Sequence, residues 1–151
     1  MSKEDDRSLN WPLECPECGT GKIVPLARSG RTARYSSVKD LPVPADFKIP
    51  TCEQCGSEWV DGATAKAMDE VLKHAYREHL KNSVAADLRS LSEHVTQRRL
   101  EESLGLSHGY LSKVRSGASR PSEVLARLLR LLAADPEHRL REMEEPLLQA
   151  G

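Results

Sequence analysis

The chain has 151 residues, with 22 Lys and Arg against 23 Asp and Glu, a net charge of −1, and 30% charged but only 4% aromatic residues. That length allows one domain or two small ones, and the near-neutral balance excludes binding to nucleic acid through bulk charge alone. No apolar run approaches the ~18 residues of a membrane span, so a soluble, cytoplasmic protein with no membrane partner is expected.

Residues 1–10 are polar and expected to be disordered. Immediately after them comes the first of two cysteine knuckles, Cys15-Pro-Glu-Cys18-Gly19; the second is Cys52-Glu-Gln-Cys55-Gly56. These are the only cysteines in the chain. A C-x2-C pair aims two thiolates at one point, and the glycine after it lets the backbone turn toward sulfur. Two such pairs supply the four soft ligands of one structural Zn²⁺ per chain: Cys15, Cys18, Cys52 and Cys55. With every ligand from the protein, no coordination position is left open for chemistry. Two disulfides are the competing reading; no signal peptide opens the chain, and cytosolic thiols stay reduced.

Between and around the knuckles, residues 11–61 hold most of the prolines and many β-formers. Short strands are expected at 22–26, 32–36 and 47–51, which makes this region a β-rich zinc ribbon. Too small to bury much, it gains from a metal cross-link. Its segment 28–48 carries Arg28, Arg31, Arg34, Lys39 and Lys48 against Asp40 and Asp46, a local basic bias that, with Tyr35, offers a minor route to nucleic acid.

From Ala63 to Gly117 there is no proline. Residues Ala65, Met68, Leu72, Tyr76 and Leu80, then Val84, Leu88, Leu91 and Val95, recur at helical spacing. Two helices are expected, about 62–80 and 83–94, the first region (62–82) serving as linker; Asn82-Ser83 is a weak break, and one long bent helix is the alternative.

The stretch from Thr96 to Gly117 is punctuated as a helix-turn-helix. Thr96 caps a helix running to Leu104, with Leu100 and Leu104 inward. Gly105 supplies a left-handed turn, Leu106 plugs the corner, Ser107 caps the second helix, Leu111 and Val114 face inward, and Gly117 ends it. A plain helical hairpin is the bland alternative. In a helix-turn-helix the second helix enters the major groove, so His108, Gly109, Ser112 and Lys113 would meet base edges, and Ser107 is counted with them at the DNA. Lys113 reaches guanine, and Ser112 suits several bases. Tyr110 would touch the sugar–phosphate rail, while Gln97, Arg98, Arg115 and Arg120 would hold phosphates. Each arginine alone could equally be a solvated charge.

Ser122 is a good cap for a helix over 123–134, and Asp135-Pro136 starts another to about 145. The first carries more leucines than one face can bury, which favours a homodimer; a monomer with all leucines internal is the alternative. His74 and His79 lie five apart, off one helical face, and read as surface groups. No nucleophilic triad, phosphate loop or paired-carboxylate site has supporting context, so no enzyme is expected.

Residues 97–121 resemble the helix-turn-helix of the Cro/phage-repressor (XRE-type) regulators, and the flanking helices extend the likeness over roughly 83–134. Two positions depart from that pattern. Glu101 stands where a small alanine is usual, so it must point outward or the helices must shift. An Arg–Glu pair of the family falls at Ser90 and Arg115, which frees Arg115 to face DNA. An amino-terminal four-cysteine ribbon followed by such a domain is similar to the MqsA-type antitoxins. That resemblance implies a dimeric regulator on a palindromic operator, with a toxin partner held by the ribbon. The expected fold is therefore α+β: a ribbon over 11–61, a helical linker over 62–82, and an all-α domain of about five helices over 83–151. The expected function is a zinc-containing, sequence-specific transcriptional regulator of double-stranded DNA. A protein-interaction adaptor whose helix-turn-helix is only a scaffold is the alternative.

Overall fold

A computed structural model describes residues 9–145. The disorder expected over 1–10 lies, but for its last two residues, outside the described residues. The chain divides into two compact units, with the boundary between Tyr76 and Arg77, and the expected α+β class is what is found: five short strands, then five helices.

In the amino-terminal unit, β1 (Leu13–Glu14), β2 (Lys22–Ala27) and β5 (Lys48–Cys52) form an antiparallel sheet in the order β1-β2-β5. β3 (Thr32–Tyr35) and β4 (Val38–Pro42) make a separate hairpin. The registers Leu13↔Ile23 and Ile23↔Cys52 stack the strands so that one knuckle opens β2 and the other closes β5. Three strands were expected here; β1 and β4 are additional. The unit has two small cores. One gathers Cys15, Ile23 and Cys52 with Trp11, Cys18 and Trp59. The other packs Leu41 and Val43 of the hairpin region against Leu72, with Met68, Ala75 and Tyr76 at its edge.

Arg31, counted with the basic segment in the sequence, is spent on structure. It is 8% exposed and donates to the Leu26 carbonyl at 3.1 Å, to Thr51 Oγ1 at 3.3 Å and to Glu58 Oε1 at 2.9 Å. Arg28 shares that carboxylate at 3.1 Å. One planar fork thus joins the end of β2, β5 and the chain after the second knuckle, a geometry that an ammonium cannot copy. We expect Arg31→Ala to lower the unfolding free energy of this unit by about 2–3 kcal/mol, because buried acceptors are left without their donor. Arg31→Lys should recover little of that loss, and denaturant unfolding of the metal-loaded protein checks both.

The chain from Gly62 to Leu91 is one helix, α1, which corrects the two-helix expectation. Neither Asn82 nor Ser83 is a strong breaker, and each costs only tenths of a kcal/mol in a helix. Ser83 instead accepts a hydrogen bond from Arg130 at 2.8 Å. α1 also stops three residues short of the expected end.

In the carboxy-terminal unit, α2 (Gln97–Ser103), α3 (Tyr110–Ser116), α4 (Glu123–Ala134) and α5 (Pro136–Glu144) follow. Val84, Leu88 and Leu91 of α1 meet Leu100, Leu111, Val114, Leu125, Leu129, Leu132 and Leu140 in a single core. The capping expectations for α2, α4 and α5 hold: Thr96, Ser122 and Asp135 accept from the N–H groups of Arg99, Leu125 and His138. Buried Asp87 accepts from Arg130 at 3.1 Å, and Arg99 clamps Glu144 with two bonds of 2.7 and 2.8 Å, tying α5 to α2.

Candidate metal centre and nucleic-acid interface

The four cysteines converge. Their sulfurs all lie within 4.8 Å of one another, and Cys15–Cys55 and Cys18–Cys52 are each 3.7 Å apart. A tetrahedron with metal–sulfur bonds of about 2.3 Å has edges of about 3.8 Å, so the donor set fits one tetrahedral thiolate-bound ion. Gly19 and Gly56 take left-handed φ of 68° and 74°, the turn that glycine permits at least cost. Their own N–H groups, however, close onto the carbonyls of Cys15 and Cys52. The amides that face sulfur sit two or three residues after a cysteine: Gly21 N–H donates to Cys18 Sγ at 3.3 Å and Gln54 N–H to Cys52 Sγ at 3.4 Å.

These donors set the thiols apart. The backbone N–H groups of Thr20 and Gly21 pull Cys18 down to about 6, and the Ser57 hydroxyl lowers Cys55. The Cys18 N–H also draws on Cys15, yet burial and the neighbouring Cys52 and Cys55 thiols push it up to about 11. Four thiolates this close repel one another unless a cation sits among them. Cys18 is thus prepared as an anion by backbone N–H groups and Cys55 is drawn in the same direction by Ser57, while a metal must displace the proton from Cys15.

Gly21 is a functional residue that sequence reasoning missed. A Cβ there would run into Cys52 Sγ and lie 2.7 Å from Gln54 Cβ, while its carbonyl accepts from Cys15 N–H at 2.9 Å. Gly21→Ala must therefore push one knuckle off the other. We expect metal affinity to fall about 10–100-fold, as for other residues that orient ligands without touching the ion, in competition against a chromophoric chelator.

The second site lies in the carboxy-terminal unit. Gly105 (φ 65°) and Gly117 (φ 82°) turn the chain as expected, and Leu106 packs against the core at the corner. Two expectations are corrected. Ser107 does not cap α3: the helix begins at Tyr110, with Gly109 in the cap position and no side-chain cap of its own. Glu101 does not point outward: it is 2% exposed and accepts from Gly109 N–H and Leu111 N–H, both at 2.9 Å. A carboxylate on α2 thus does the work assigned to Ser107. Burial alone would raise the Glu101 carboxyl, but these N–H groups and the Gln97 amide outweigh it and hold the carboxyl below its ordinary range. A buried glutamate is tolerated where an alanine was expected because the free N–H groups of a helix start are there to receive it.

Of the residues expected at DNA, Ser107, His108, Ser112, Lys113, Arg115 and Arg120 are exposed. Gln97 is half-buried and donates to Ser112 Oγ at 2.7 Å and to Glu101 Oε1 at 3.1 Å. Arg98 pairs with Glu102 at 3.0 Å on the surface, a bond too weak to withhold it from a stronger anion. Tyr110 is half-buried against the core. His74 and His79, set aside as ligands, are exposed on α1.

No protein-family model matches the chain, and no curated protein matches it in sequence. The functional reading therefore rests on these two sites. Among the described residues no helix is long and apolar enough to cross a membrane.

Proposed function

We propose that the protein is a zinc-containing, sequence-specific regulator of transcription that binds double-stranded DNA in the cytoplasm. The observation that carries this reading is α3: a short helix started by a buried carboxylate from α2, with Ser112, Lys113 and Arg115 on its exposed side. That geometry suits insertion in a major groove, with Lys113 at base edges and Arg98, Arg115 and Arg120 on phosphates. Zinc is the ion best suited to four thiolates at tetrahedral separation, and its role is structural. Val124 and Leu131 are 76% and 61% exposed on α4, with Leu128 beside them, and this apolar stripe supports a two-fold dimer reading a palindrome. The likeness to XRE-type regulators and MqsA-type antitoxins suggests a repressor of its own operon, with a toxin held by the ribbon.

Labelled duplex from the protein's own promoter, titrated over a salt series with random competitor DNA, tests the reading. Tight binding should survive competitor. Lys113→Ala with Arg115→Ala should weaken it at least ~10-fold and flatten the salt slope by about one for each phosphate no longer neutralised. Binding that competitor abolishes favours the adaptor reading. For that alternative the supporting feature is an open groove of about 700 Å³ in the amino-terminal unit, lined by Pro44, Phe47, Ala63, Ala67 and Val71.

A further inference from the structure

The orientation of the Gln97 amide is fixed by chemistry. Its nitrogen faces the Glu101 carboxylate at 3.1 Å. A carboxylate only accepts hydrogen bonds, so the flipped amide would set oxygen against oxygen. The second amide hydrogen goes to Ser112 Oγ at 2.7 Å. Both donors of Gln97 are then used, and its carbonyl oxygen has no partner among the described residues. Ser112 accepts from the amide, so its hydroxyl hydrogen remains to be given, and it too has no acceptor among the described residues. Side by side on the half-open face of α2 and α3 stand one free acceptor and one free donor, locked in that polarity by a buried charge.

The major-groove edges of the four bases differ in this respect. Adenine offers an acceptor at N7 and a donor at N6. Guanine offers two acceptors, so its O6 would face the Gln97 oxygen. Cytosine N4 satisfies Gln97 but leaves the serine hydrogen unused, and thymine O4 does the reverse. Adenine alone answers both groups from one base; a C·G pair does so only across the pair, with cytosine N4 at Gln97 and guanine O6 at Ser112.

We infer that Gln97 and Ser112 together form a specificity element for one adenine in each half-site, with Ser112 donating to N7 and Gln97 accepting from N6. Glu101 is the positioning residue behind them. This rests on the DNA-binding reading above and adds to it a base identity that neither residue carries alone. Ser112 in isolation suits several bases; polarised by Gln97, it does not.

Selection from a random-sequence duplex library, run in parallel on the wild-type protein and on Ser112→Ala, tests the inference. Ser112 is exposed, so the variant should melt like wild type. The expected result is an enriched motif with an adenine favoured about tenfold over the other bases at one position of each half-site. Ser112→Ala should lose that preference alone. The wild-type protein then gives a check independent of any variant: 7-deazaadenine, which lacks the N7 acceptor, placed at each adenine of the motif in turn, should weaken binding at that one position. An enriched motif in which Ser112→Ala changes no position, or changes a guanine position, or in which no 7-deazaadenine matters, overturns the adenine assignment while leaving the regulator intact. If the wild-type protein enriches no sequence at all, the regulator reading fails and the inference falls with it.

Discussion

Cys52→Ser, or chelation of the bound metal, is expected to unfold the ribbon while leaving the carboxy-terminal helices in place. The reason is the composition of the first core: of its three fully buried residues, Cys15 and Cys52 are ligands, and only Ile23 is an ordinary apolar side chain. Remove the ion and the proton returns to Cys15, and Ile23 with two partly buried tryptophans is all that remains of that core, with Ile49 and the Arg31 bonds between β2 and β5 beside it. Structural zinc in sites of this kind is worth on the order of 10 kcal/mol of apparent folding free energy, far more than so small a core can replace. Native mass spectrometry should show one metal per chain before chelation and none after. Hydrogen exchange should then show protection lost across β2 and β5 but kept in α4. Full protection of β2 and β5 in the metal-free protein would overturn this account.

Glu101→Ala should have the second largest effect, about 3 kcal/mol in the carboxy-terminal unit, since two backbone N–H groups are left without a charged acceptor. Glu101→Gln should cost nearly as much. Its single oxygen can take the Leu111 N–H, but its NH₂ then faces the Gly109 N–H, donor against donor. The pH dependence has a definite sign. The carboxyl is a stronger acid when folded than when unfolded, so its contribution is complete above the unfolded titration range and is lost as pH falls through the folded one. Denaturant midpoints measured from neutral to acid pH should therefore fall more steeply for wild type than for Glu101→Gln. Parallel curves would show that this carboxylate is not the acid-sensitive group.

What the sequence made legible was what lies close along the chain. The C-x2-C pairs, the caps at Thr96, Ser122 and Asp135, and the turn glycines are all decided within a few residues, and each was found where expected. What it hid depends on partners brought together by folding. Gly21 looks like an ordinary turn residue until Cys52 and Gln54 close over it. Arg31 looks like surface charge until Thr51 and Glu58 surround it. Glu101 and Ser107 were misread together: local rules place a glutamate outside and a serine at the cap, and only the crossing of α2 and α3 exchanges those roles. The break expected at Asn82-Ser83 failed for the opposite reason: the local signal was itself weak, since neither residue disfavours a helix by more than tenths of a kcal/mol.

The start of α3 has a consequence for anyone wishing to transplant it. Seven residues with a glycine at the amino-terminal end make a helix with almost no tendency to persist alone. A graft carrying only 110–116 into another scaffold would arrive without its initiator, whatever bases its side chains can touch. Any portable piece must include at least Thr96 to Gly117, because the carboxylate that begins the second helix travels on the first.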